Sequence, residues 1–327
     1  MKRILTIILM CAICISLFPA TLAQAQEIEV TRIQGSDRYI TAVEVSKNTF
    51  KESRFALVAY GGNYPDALIG GTLAVQLKAP ILLTEKDGIR PEAIEEMNRL
   101  GVKKIFVLGG EAAVSNKVFQ ELKKVTSDVE RLSGRDRYDT SNRINEVRYK
   151  NRPDLRQDAI GDLSTYVSGT NFPDALAAAP LYGQTKAGDT ILNYLRLARP
   201  GRDVAPFIAI GGSKVVRHSF DQGGPWNYQY RIAGRNRYET AVEIAKQYPK
   251  ELDKTVDTVI LTNGTNYPDA LSSAPLVASR NACLLLTHPQ DLPEATKSYI
   301  KNNKIQKVIV IGGENSVSAK VVQELVK

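Results

Sequence analysis

The chain has 327 residues, of which 43% are apolar and 24% charged, the balance of an ordinary folded globular protein. This excludes a disordered acidic tail, a collagen-like chain and a disulfide-stapled mini-protein, and the length suggests about two to three domains. A formal charge of +8 favours anionic partners without choosing among nucleic acid, anionic lipid and anionic glycopolymer.

Residues 1–25 read as an export signal. Lys2 and Arg3 form a positive start, Ile4 to Leu17 is apolar apart from Thr6 and Ser16, and Ala23-Gln24-Ala25 supplies a small-x-small cleavage pattern. The apolar run is shorter than the roughly 18–20 residues that span a bilayer. The mature chain is expected to start at Gln26, secreted and free of the membrane. Cys11 and Cys14 would leave with the leader, and neither has lipoprotein-site surroundings. Cys283 remains, inside the apolar run Ala282–Leu286, and reads as a buried small hydrophobe.

Internal repetition carries most of the information. Arg32-Ile33-Gln34-Gly35-Ser36-Asp37-Arg38-Tyr39 returns as Arg131-Leu132-Ser133-Gly134-Arg135-Asp136-Arg137-Tyr138 and as Arg231-Ile232-Ala233-Gly234-Arg235-Asn236-Arg237-Tyr238, at spacings of 99 and 100 residues. Asn-aromatic-Pro-Asp-Ala-Leu occurs at Asn63–Leu68, Asn171–Leu176 and Asn266–Leu271. An apolar strand closed by two glycines ends at Gly109-Gly110, Gly211-Gly212 and Gly312-Gly313. The period is that of a small domain rather than a solenoid unit. Three homologous units are read, at 26–127, 128–229 and 230–327.

In the first unit an amphipathic helix is expected from Tyr39 to Lys47. A strand at Phe55–Ala59, a helix at Asp66–Leu77 and a strand at Pro80–Leu83 follow. A helix at Pro91–Leu100 opens with Pro and Glu and ends before Gly101. A strand at Lys104–Leu108 and a helix capped by Ser115 close the unit. The third repeats this at Thr258–Thr262, Ala270–Ala278, Cys283–Leu286, Pro293–Asn302, Lys307–Ile311 and Ser318–Val326. The middle unit departs, with a polar insertion around Asn151–Asp162, a short basic stretch at Tyr194–Arg202 where its neighbours have a helix, and Gly223-Gly224-Pro225-Trp226 near its end. Short apolar strands alternating with helices predict an α/β fold of three doubly wound, mainly parallel units.

Each motif has a structural and a functional reading. Asn63 and Asp66, with Asn171, Asp174, Asn266 and Asp269, suit a capping-box-like helix start, or a ligand site at the carboxyl ends of the strands. The paired glycines suit a tight strand-to-helix turn or an anion-binding one. The Asp-Arg-Tyr segment suits capping and domain packing or ligand contact. Arg38, Arg137 and Arg237 are constant, whereas the Asp becomes Asn236 in the third copy, against a catalytic carboxylate. Catalytic signatures are sparse: His218 and His288 lack metal-ligand spacing, and no nucleotide-binding glycine motif or Gly-x-Ser-x-Gly elbow occurs. No catalytic residue, metal or cofactor is expected, although a carboxylate pair for glycoside hydrolysis stays open. Three copies of one motif set suit multivalent binding.

The export signal and the three motifs, recurring together and in order, resemble the cell-wall-binding repeat type 2 family of Gram-positive surface and S-layer-associated proteins. The resemblance implies Rossmann-like units arranged with pseudo-threefold symmetry, and non-covalent anchoring to an anionic secondary cell-wall polymer. Nucleic acid is not an expected partner, and a monomer suffices because the trio closes internally. The family's Ile-Leu-Leu anchoring motif stands at Ile81-Leu82-Leu83 and corresponds to Leu284-Leu285-Leu286 in the third copy. In the middle copy it is aligned with Thr190-Ile191-Leu192. These triplets read as central strands or inter-unit core. Polymer contact is expected from Arg38, Arg137 and Arg237, with the three Asn and three Asp of the Asn-x-Pro-Asp motif. The rival readings are a wall hydrolase (amidase or glycosidase) and a surface or sporulation assembly factor.

Overall fold

A computed structural model describes residues 28–151, 164–184, 194–201, 208–217 and 230–326. The expected leader, the polar insertion beyond Asn151, Ile191 and Leu192, His218 and the Gly223–Trp226 segment lie outside these residues. The first repeat runs β1 (Glu29–Ile33), α1 (Arg38–Thr49), β2 (Phe55–Tyr60), α2 (Pro65–Leu77), β3 (Ile81–Thr84), α3 (Pro91–Leu100), β4 (Lys104–Leu108), α4 (Asn116–Leu122). The second runs β5 (Val129–Leu132), α5 (Arg137–Lys150), β6 (Ser164–Ser168), α6 (Pro173–Tyr182), β7 (Tyr194–Ala198), β8 (Ile208–Ile210). The third runs β9 (Tyr230–Ile232), α7 (Arg237–Ala245), α8 (Tyr248–Leu252), β10 (Thr258–Asn263), α9 (Ala274–Ser279), β11 (Ala282–Thr287), α10 (Glu294–Asn302), β12 (Lys307–Ile311), α11 (Ala319–Leu325).

The strands form three four-stranded sheets, in the orders β3-β2-β4-β5, β7-β6-β8-β9 and β1-β12-β10-β11. All their pairings are parallel, as helices on both faces of a sheet require. Each repeat's opening strand joins the sheet of another repeat. β5 lies on β4, β9 lies on β8, and β1 lies on β12 of the third repeat, closing the circle. Repeat boundaries drawn at 127/128 and 229/230 therefore fall before strands that hydrogen-bond to the preceding unit. No local pattern announces this, because an edge strand's partner is set by tertiary packing.

The larger apolar cluster faces the centre of the molecule and runs through all three repeats. A second lies between sheet one and its outer helices, built on Val43, Val58, Leu82, Met97 and Val107. Helices α2, α6 and α9 pack pairwise around the centre. There Gly71, Ala179 and Ala274, equivalent positions in the three repeats, converge. A Cβ on Gly71 would sit 3.1 Å from the Cβ of both alanines. Seven residues earlier in each repeat the rings of Tyr64, Phe172 and Tyr267 meet pairwise, with centroids 5.8, 5.2 and 5.6 Å apart. Tyr64 Oη donates to the Thr170 carbonyl and Tyr267 Oη to that of Gly62. Phe172 has no hydroxyl for the third such bond, so the pseudo-threefold pattern is complete in packing but not in hydrogen bonding.

Three expected elements differ. The helix at Ala270–Ala278 is broken into a 3-10 turn at Pro268–Ala270 and the short α9. Ser273 Oγ bonds back to the Ala270 carbonyl at 2.6 Å, a local bond that competes with the helix ladder, and Pro275 lacks an N–H. The basic stretch from Tyr194 is strand β7, not the counterpart of a helix. Its register corrects the triplet alignment: Leu195 pairs with Thr165 as Ile81 pairs with Leu57, so the middle triplet is Leu195-Arg196-Leu197. The triplets also lie on edge strands rather than central ones. Their first and third positions are buried all the same, and β7 packs on α2 and β11 on α6, each across a repeat boundary.

Candidate functional site

The recurrent motifs meet at the crossovers between repeats. Each Gly-x-Asp/Asn-Arg-Tyr segment links a strand in one sheet to a helix on the next. The Gly35, Gly134 and Gly234 amides donate to Thr41, Thr140 and Thr240 Oγ1 at 3.0, 3.1 and 3.1 Å. Asp37, Asp136 and Asn236 cap α1, α5 and α7, each oxygen accepting from two helix N–H groups. An amide oxygen caps as well as a carboxylate, which explains why Asn236 is tolerated. The second carboxylate oxygen of each aspartate has its own partner. Arg90, after β3, pairs with Asp37 at 3.4 Å, and Arg199, after β7, with Asp136 at 2.8 Å. The same arginines lie over the Tyr39 and Tyr138 rings. The matching third-repeat loop, 288–293, contains no Arg or Lys, and there the cap is neutral.

Arg38, Arg137 and Arg237 each give one Nη to a backbone carbonyl just past the repeat's second strand, at Gly61, Gly169 and Gly264, over 2.7, 2.8 and 2.5 Å. The Tyr that follows lies against the same glycine, where a Cβ would run into its ring. These arginines are thus half-buried struts as well as cations. A second arginine set, Arg32, Arg131 and Arg231, went unread as functional although it opens every copy of the motif. Each clamps the glycine turn of the sheet it joins, Arg131 through the Gly109 and Val114 carbonyls at 2.9 and 2.8 Å, Arg32 through Gly312 and Val317, and Arg231 through Gly211. Burial lowers the pKa of Arg32 and Arg131.

The Asn-x-Pro-Asp loops reach the same place. Asn63, Asn171 and Asn266 are exposed and do not cap the helix. The cap position is held by Tyr64, Phe172 and Tyr267, with no side-chain cap bond. Asn63 and Asn266 Oδ1 accept instead from the next residue's amide. Proline at the first helical turn leaves fewer N–H groups to satisfy, which is why no cap is needed. Ser115 sits at its expected cap position but likewise makes no cap bond.

Asp66, Asp174 and Asp269 lean over Gly109, Gly211 and Gly312, whose φ angles are 97°, 100° and 100°. A Cβ there would strike the carboxylate, so both the left-handed backbone and the close approach demand glycine. Burial pushes the Asp66 carboxyl up, opposed by the Arg137 charge and a Thr140 hydrogen bond from the next repeat. Burial pushes Asp174, 9% exposed, up to about 6, opposed by Arg237. Asp269 accepts from Ser316 Oγ at 2.5 Å.

At the junction of repeats one and two these groups line a cleft of about 350 Å³. Asn63, Asp66 and Gly110 come from one repeat, and Gly134, Arg135, Arg137 and Thr140 from the next. The cleft offers two arginines, the carboxyls of Asp66 and Asp136, the Asn63 amide and the hydroxyls of Tyr60 and Thr140, groups suited to a sugar chain carrying charge. Among the described residues no group of three or more His, Cys, Asp or Glu is placed to hold a metal. No helix among them is long and apolar enough to cross a membrane. Cys283 is fully buried with its thiol pushed up to about 12 by desolvation, which makes it inert.

Three parallel α/β units joined through shared strands, with one motif set repeated at every crossover, define a repeat domain built for binding. The chain belongs to the cell wall binding domain 2 (CWB2) family, whose profile matches residues 32–119, 131–220 and 231–322. It is similar to the N-acetylmuramoyl-L-alanine amidase LytC of Bacillus subtilis, 28% identical over 99% of this chain and 63% of that protein. It is also similar to the amidase enhancer of the same organism, 31% identical over 90% of this chain and 40% of the relative. The chain therefore spans less than two thirds of either relative. Among solved structures it resembles Cwp8 of Clostridium difficile, with a TM-score of 0.74 and 25% identity over 91% of this chain and 51% of that one. Cwp6 of the same organism shares the fold, with a TM-score of 0.71 and 23% identity over 92% and 48%.

Proposed function

We propose that this is a secreted, non-enzymatic cell-surface protein that holds an anionic wall glycopolymer at the junctions between its repeats. The observation that carries the reading is the cleft in which three sequence-distant motifs from adjacent repeats become neighbours. Arg38, Arg137 and Arg237 set the positive field there while bracing the fold. Arg135 and Arg235, with side chains 91% and 90% exposed, are free to move toward phosphate or carboxylate groups, exchanging their ion pairs with Asp139 and Glu239. Asn63, Asn171 and Asn266 present amides to sugar hydroxyls, and Asp66, Asp174 and Asp269 line the floor. The apolar triplets support this indirectly, by fixing how one repeat sits on the next.

The test is a pull-down with purified walls, before and after removal of the anionic polymer, across a salt series. Binding is expected to disappear with the polymer and to weaken with salt, since exposed charges are screened within about 10 Å at 0.1 M. Arg135→Ser, which installs the residue found at position 36, should weaken binding without moving the melting temperature. Binding to bare peptidoglycan, or none, overturns the reading. The amidase relative motivates a second one, a wall hydrolase. A zymogram in which the purified chain clears walls would replace the first proposal with it.

A further inference from the structure

Each sheet has an acceptor edge filled by the opening strand of another repeat, and recognition is the same three times. On β12 the pairing runs from Glu29↔Lys307 to Ile33↔Ile311. The Glu29 amide donates to the Gln306 carbonyl at 2.9 Å, and Gly312 N donates to the Ile33 carbonyl at 2.9 Å. Arg32 then plugs into the glycine turn, at 2.6 Å from the Gly312 carbonyl and 2.8 Å from that of Val317. Lys307 Nζ meets Glu29 at 2.6 Å, and Ile33 is buried. Two of the three acceptor edges take a strand held on both sides by repeats of the same chain. Strand β1 differs: among the described residues only Gln34-Gly35-Ser36-Asp37 ties it to the rest of the chain. It is also the outermost strand of its sheet, so it can leave without disturbing any other pairing.

We propose that the β12 edge is a strand-acceptor site that takes β1 from a second copy of this chain, giving a reciprocal strand-exchanged dimer. Every contact made within one chain is made again between two, because donor and acceptor are identical. What differs is concentration. A short tether holds β1 at an effective concentration on the order of millimolar, so dilute protein is monomeric and exchange appears as copies crowd together.

The test uses the full chain with Cys11→Ser and Cys14→Ser as background. Cys283 stays, because its buried thiol does not compete. Thr31 and Ile309 are register partners, and neighbouring strands about 4.8 Å apart lie within disulfide reach. One preparation carries Thr31→Cys and a second Ile309→Cys. They are mixed at rising concentration under mild oxidation. A covalent heterodimer is expected, rising steeply with concentration and suppressed by excess unmodified chain. Replacing the second partner with Val215→Cys, exposed on repeat two, should abolish it. The Thr31→Cys/Ile309→Cys double variant should close within one chain when dilute. If that chain closes while the mixed pair yields no more dimer than the Val215 control, the proposal is wrong. If the double variant does not close, the β1–β12 register fails and the proposal with it.

Discussion

The first and middle repeats build the same inner face and different outer faces. In the first, residues 85–103 between β3 and β4 carry helix α3, whose Ala93, Met97 and Leu100 cover Leu82 and Val107. In the middle repeat the connection from β7 to β8 is shorter, residues 199–207. Leu82 becomes Arg196, bonded through Nε to Ser164 Oγ at 3.0 Å and through Nη1 to Asn142 Oδ1 at 2.8 Å. The flanking positions stay apolar: Ile81 and Leu83 in one repeat, Leu195 and Leu197 in the other, all in the central core. Strand side chains alternate between faces, so the outward position of a triplet can change while the face that holds the trio together is kept. The requirement lies on positions one and three of the triplet, and position two is local to each repeat.

Exchanging the second positions breaks that comparison most sharply. Leu82→Arg buries an unpaired cation beneath α3 and should cost about 4 kcal/mol or more, whereas Arg196→Leu should cost about 1 kcal/mol or less because Arg196 is only half-buried and its partner Asn142 is exposed. Denaturant titration of both variants reads this directly, and equal losses would show that the outer faces are alike after all.

A smaller effect distinguishes the junctions. Asp174 is protonated in the folded chain up to about pH 6, above the usual unfolded value near 3.9. The native state thus holds the extra proton between those values. Stability from this group is complete below about pH 4 and is lost as pH rises through 6. Asp174→Asn should therefore gain on the parent by about 3 kcal/mol between pH 4 and pH 7. Melting temperatures of the pair across that range check it, and a constant difference would show that Asp174 is not desolvated.

The least change is expected at the third cap. Asn236→Asp keeps both cap bonds and finds no arginine in loop 288–293, so it should shift stability by about 0.5 kcal/mol or less. Asp136→Asn removes the Arg199 pair and should weaken the second repeat more. Thermal melts of the two variants give the order, and a larger loss at 236 would reverse it.

The legible parts of this molecule were those with local causes. The alternation of short apolar runs and helices, the glycine turns and the repeated arginines carry their physics within a few residues. The Asp-Arg-Tyr cap was readable for the same reason, and the tolerance of Asn236 confirms its role. The partners of β1, β5 and β9 were not readable, since an edge strand looks the same whichever sheet receives it. The middle triplet misled because Ile191-Leu192 is more apolar than Leu195-Arg196-Leu197. Only strand register shows that alternate positions matter. The junction cleft escaped because its walls come from different repeats, though Thr41, Thr140 and Thr240, repeated three residues beyond each arginine, were a usable signal.

Sheet sharing also fixes copy number. In an open stack of repeats, duplicating one unit lengthens the array and leaves both ends as they were. Here every unit lends its opening strand to the sheet of the unit before it and borrows one from the unit after, and the circle closes at three. A fourth unit inserted by gene duplication would have to widen the circle, pulling apart Gly71, Ala179 and Ala274, which meet at its centre. Such a lineage would diversify within its repeats, as the exchange of Leu82 for Arg196 does on an outward-facing strand position, rather than by adding or dropping repeats.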